Sequence, residues 1–89
     1  MQSFQQITQP QPPADAVLVK IVGTPGAPKA EVLWPATAAT PGGDYLYPTD
    51  PAVAFERARD VMVNYGYPRI VIWLASPELW DEAWGNLVP

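Results

Sequence analysis

Apolar and polar positions alternate with a period of two over the first patterned part of the chain. In "AVLVKIV", residues 16–22, Val17, Val19 and Ile21 fall on one side of an extended backbone and Leu18, Lys20 and Val22 on the other, which predicts a strand with one mixed face. "AEVLW" repeats the pattern, with Ala30, Val32 and Trp34 set against Glu31 and Leu33. The intervening "GTPGAPK" is turn chemistry, so the two segments predict a hairpin with a long loop. "PATAATPGGD", 35–44, has no period and predicts a loop, and Tyr45–Tyr47 predicts a short edge strand.

At Asp50 the period changes to that of a helix. Ala54, Phe55, Ala58, Val61, Met62 and Tyr65 recur on one face, while Glu56, Arg57, Arg59, Asp60 and Asn64 fill the other. Asp50 suits the N-cap, Pro51 the first turn and Gly66 the left-handed exit. "RIVIWLA", 69–75, then returns to period two with both sides apolar: Ile70, Ile72 and Leu74 against Val71, Trp73 and Ala75. A strand of that kind is buried on both faces, so the sheet needs two covers. The helix supplies one; the other is expected from the chain's last helix or from a second copy.

That last helix is read from "SPELWDEAWG", 76–85, where Ser76 and Pro77 suit the start, Gly85 the end, and Glu78, Asp81 and Glu82 lie where the helix dipole favours negative charge. Residues 1–15, rich in glutamine and proline with Met1, Phe4 and Ile7 as their large apolar side chains, predict a flexible arm, and deleting residues 1 to about 12 is expected to leave the melting temperature almost unchanged. The expected fold is α+β: a small β-hairpin/α/β/α two-layer sandwich over residues 16–89 behind a disordered N-terminal arm. The core is expected at Val19, Ile21, Phe55, Ala58, Met62, Ile70, Ile72 and Leu74.

Composition changes this picture by exclusion. With 89 residues the chain fits one small domain. It has no cysteine and no histidine, so disulfide staples, thiolate catalysis, Ser/His/Asp triads and ordinary zinc sites are outside its chemistry. A formal charge of -4 disfavours nucleic acid as a partner. "MQSFQQITQP" lacks the basic and apolar regions of a signal peptide, and "IVIWLA" is far shorter than the roughly 20 residues that span a bilayer. A cytoplasmic protein without membrane partners is expected.

Candidate chemistry is sparse. Glu78 with Asp81 or Glu82 lies on one side of any substrate, unlike the flanking carboxylates of a glycosidase. "GTPGAPK" lacks the spacing of a phosphate loop, and "GDYLYPTD" lacks that of a calcium loop. No catalytic, metal or cofactor residue is assigned. The four tryptophans are the strongest feature. They suggest a non-enzymatic association module that forms a homodimer or docks on a protein partner through Trp73, Trp80 and Trp84. The alternative is a small-ligand or glycan-binding domain with Tyr45, Tyr47 and Trp34 as its aromatic platform.

Overall fold

The computed structural model describes residues 3–36 and 43–88, with the backbone alone for 44–47. They form one helix and a six-stranded mixed sheet, an α+β domain as the hydrophobic pattern predicts. The elements in chain order are β1 (Ser3–Gln6), β2 (Ala16–Thr24), β3 (Ala27–Trp34), β4 (Gly43–Thr49), α1 (Pro51–Tyr65), β5 (Arg69–Leu74) and β6 (Asn86–Val88). Across the sheet the order is β4-β3-β2-β5-β1-β6.

The hairpin is tighter than its turn-rich sequence suggests. β2 and β3 pair antiparallel from Leu18 opposite Leu33 to Thr24 opposite Ala27, so Pro25 and Gly26 alone make the turn. Gly23 makes this possible. Its φ is 94°, and a Cβ there would lie 2.7 Å from the Ala27 carbonyl oxygen, so any side chain would meet backbone. β4 completes the meander as an edge strand on β3, and Tyr45–Tyr47 lies within it. Of the loop expected over 35–44, Gly43 and Asp44 are instead strand, paired with Trp34 and Leu33, and residues 37–42 lie outside the described residues.

Helix α1 starts and stops as its caps predict. The Asp50 carboxylate accepts from the Ala52 N–H at 2.9 Å, Pro51 opens the first turn, and Gly66 takes the left-handed conformation at φ 75°. Ala54, Phe55, Ala58 and Val61 are buried against Val17, Val19, Ile21, Val32, Ile70 and Ile72 of the sheet. Met62 and Leu74, expected in this core, are partly buried at its margin. Among the described residues no helix is long and apolar enough to cross a membrane.

β5 is an inner strand. It pairs parallel with β2 on one side, Val19 opposite Ile72, and with β1 on the other, Gln5 opposite Val71. Here the structure departs from the expected arm: residues 3–6 form a strand between β5 and β6, and Phe4 is 1% exposed. Two large apolar side chains, too few to build a core, are enough to join one. Phe4 turns to the helix side, where its ring meets Phe55 at 5.3 Å, while Ile7 packs on the opposite face against Ala16, Leu18 and Val71. Because β1 and β2 flank β5, the chain from Ile7 to Asp15 has to pass over β5 to join them. Ile7 places that crossing on the face away from α1, where the pattern calls for a second cover.

Arg69 ties this crossing down. Its guanidinium donates to the Asp15 carboxylate, at 3.0 Å from Nη2, and to the Gln5 side-chain oxygen. The hydrogen bond from Arg69 holds the Asp15 carboxyl below the usual carboxylate range; slight desolvation opposes it and the arginine's charge adds to it. An Asp whose folded pKa is depressed stabilises the fold above its unfolded pKa, near pH 4, and that contribution disappears as pH falls through the folded value. Urea midpoints are therefore expected to drop as pH falls below about 4, less steeply for Asp15→Asn than for the wild type. Parallel slopes for the two proteins would show that the pair contributes nothing.

The expected C-terminal helix is replaced by two separate 3-10 turns, Pro77–Leu79 and Glu82–Trp84, followed by β6. Between them Trp80 and Asp81 are extended, at φ -75°, ψ 131° and φ -106°, ψ 122°. Local side chains account for the break. The Asp81 carboxylate accepts from the Ala83 N–H at 2.9 Å, an alternative to continuing the helix, and the Ser76 side chain makes no capping bond to the backbone. Gly85, at φ 140°, redirects the chain into β6, which pairs parallel with β1, Phe4 opposite Leu87.

Candidate interaction surfaces

Strand alternation and register separate the tryptophans into three places. Trp80 and Trp84 lie on the helix side. The break at Trp80–Asp81 sets their rings edge to face at 5.2 Å and 83°, and both rest on Phe55, at 6.2 and 5.6 Å. Phe4 closes the group, 6.0 Å from Trp80. Both indoles are partly buried, and Leu79 beside them is fully in the core. Outside this cluster a shallow groove of about 520 Å³ runs between Ser3, Trp80, Glu82 and β6. Glu78, Asp81 and Glu82 are exposed nearby. The Ser76 hydroxyl bonded to Glu78 holds that carboxyl below the usual range.

Trp73 is elsewhere. Residues 69, 71 and 73 of β5 alternate away from the helix, so Trp73 belongs to the opposite sheet face, with Leu33 and Ile7 as partly buried neighbours of the Ala16, Leu18 and Val71 cluster. Register sets Lys20 between Glu31 on β3 and Trp73 on β5. The Lys20 ammonium is 3.7 Å from the Glu31 carboxylate and 5.5 Å from the centre of the Trp73 ring. The result is a row of carboxylate, ammonium and indole across three strands, all partly buried. The structure thus brings Trp80 and Trp84 together and leaves Trp73 on the other side of the sheet.

Trp34, at the end of β3, occupies the third place. It lies against Gly43 of β4, where a Cβ would come within 2.6 Å of the indole, and its ring is stacked on Tyr65 of α1 at 6.3 Å and 29°. Tyr65 is 50% exposed, so this pair opens to solvent. The neighbouring Tyr67 is buried, and its hydroxyl donates to the Pro35 carbonyl. The side chains of Tyr45 and Tyr47, expected to complete the platform, lie outside the described residues.

No known protein family, curated protein or solved structure matches the chain. Among the described residues no three carboxylates gather as a set able to hold a metal ion. What the residues do assemble is aromatic surface beside charge. Three participants escaped the sequence reading, the pair Lys20 and Glu31, and Tyr65. The first pair had a usable signal: opposite charges at mirrored positions of a predicted hairpin, each between apolar residues. Tyr65 had none, because its partner is 31 positions away on a strand whose alignment with the helix end is a tertiary matter.

Proposed function

We propose that the protein is a non-enzymatic association module, a cytoplasmic homodimer formed through the sheet face opposite α1, with Trp73 as its anchor. The observation that carries this reading is the partly buried row Glu31, Lys20, Trp73 on a face that, among the described residues, is crossed by the chain from Ile7 to Asp15 but covered by no helix. A two-fold axis running parallel to β2 and β3 and between them sets Lys20 of each copy over Glu31 of the other, with Leu33 and Trp73 on the apolar flanks. The surface of Trp80 and Trp84 is less suited to self-association, because two copies would bring their Glu78, Asp81 and Glu82 carboxylates together. Sedimentation from low to high micromolar concentration tests the proposal. Wild type is expected to dimerise, Lys20→Glu to remain folded and monomeric, and Lys20→Glu with Glu31→Lys to dimerise again. A wild type that stays monomeric, or a mass unaffected by either variant, overturns it.

A second reading is favoured by the stack of Trp34 on half-exposed Tyr65, which offers a flat face of the kind that sugar rings and small planar ligands use. Monomeric protein whose Trp34 and Tyr65 resonances shift with added oligosaccharide would transfer the assignment to this small-ligand or glycan-binding role.

A further inference from the structure

The two edges of the sheet are differently protected. Edge strands usually carry charge, proline or a bulge that discourages further pairing. β4 has Asp44 and Pro48 in its sequence and a register shift against β3 between Ala30 and Val32. β6 has none of these: it reads Asn-Leu-Val, pairs with β1 on its inner side, and has no strand on its outer side among the described residues. Val88 is 43% exposed along that edge. The groove beside Trp80 and Glu82 runs along the same strand. Its surroundings are acidic: Glu78, Asp81 and Glu82 are exposed. The chain's five lysines and arginines all lie at or before position 69.

From these features we propose that β6 is a docking edge for an extended, basic segment of a partner protein, which adds to the sheet as a further strand. The outer backbone of Asn86–Val88 supplies main-chain hydrogen bonds, and alternate side chains of the guest divide between two surroundings. One set lies along Val88, on the face away from α1, since Leu87 turns to the helix side. A lysine or arginine of the other set reaches the groove, where the Trp80 indole and the Glu82 carboxylate both favour a cation. The carboxylates that oppose pairing of two copies here are what select a basic guest. This surface is separate from the Lys20 face, so the proposal stands or falls independently of the homodimer.

The probe is a blocked heptapeptide of alternating lysine and valine, titrated into the full-length protein while amide resonances and tryptophan emission are followed. Saturable binding is expected, with the largest shifts at Asn86, Leu87 and Val88, weakened at least tenfold by Glu82→Lys. The Lys20→Glu variant is expected to bind within about twofold of wild type. Two further peptides, N-methylated on one or the other alternate set of residues, keep the charge but each lose one row of donors, and one of them is expected not to bind. The proposal is overturned if a glutamate-valine peptide binds as well, if residues 86–88 do not respond, or if both methylated peptides bind like the parent.

Discussion

Replacing Phe4 with alanine is expected to destabilise the protein by about 3–5 kcal/mol, the range for deleting a buried phenylalanine from a packed core. Phe4 is 1% exposed and meets two rings, Phe55 at 5.3 Å and Trp80 at 6.0 Å, so its removal leaves a cavity walled by aromatic side chains that are held from other elements. The same change loosens β1, the shared neighbour of β5 and β6. A domain of this length has a total stability of roughly 4–13 kcal/mol, so the variant is expected to be partly or wholly unfolded at 37 °C. Urea denaturation followed by tryptophan emission measures the loss. A cost under about 1 kcal/mol would restore residues 3–6 to the flexible arm that their composition suggests.

The second large effect is expected at Ile72, where alanine should cost about 2–5 kcal/mol. Ile72 is fully buried, faces α1, and sits between Val19 of β2 and Gln6 of β1. Its carbonyl also accepts the Ile7 N–H at 2.8 Å, where the chain leaves β1. The denaturation midpoint is expected to fall with little change in slope, since the loss is of packing and not of native compactness. An effect below about 1 kcal/mol would mean that β5 is not the centre of the sheet.

The elements legible in advance are those whose signals are local. β2 and β3 announce themselves by alternation, α1 by Asp50, Pro51 and Gly66 at its ends, and β5 by apolar side chains on both faces. β1 and β6 have no such signal. Each is four residues or fewer, and each is a strand only because another parallel strand, distant in sequence, lies beside it. The segment 76–85 misleads for a related reason: Ser, Pro and early carboxylates suit the first turn of an α-helix and of a 3-10 turn alike, and the Asp81 side chain decides between them. Of the candidate surfaces, Trp80 and Trp84 are expected side by side from the i, i+4 spacing of a helix, whereas their contact comes from the break at Trp80–Asp81. Their separation from Trp73 was not legible, because it depends on which way the chain turns after β5.

The placement of β1 also governs the order in which the protein can assemble. Gln5 pairs with Val71 and Phe4 with Leu87, so the earliest strand of the described chain finds both neighbours among its latest residues. During synthesis the β2–β3 hairpin and α1 emerge with partners already at hand, whereas β1 must wait, its phenylalanine uncovered, until β5 and β6 have left the ribosome. Closing such long loops is entropically costly and slows the final step relative to the hairpin and helix. The last pairing that synthesis makes available thus joins the two extremities of the described chain, and a ribosome that stops before Asn86 releases a polypeptide whose first strand has only one neighbour to find.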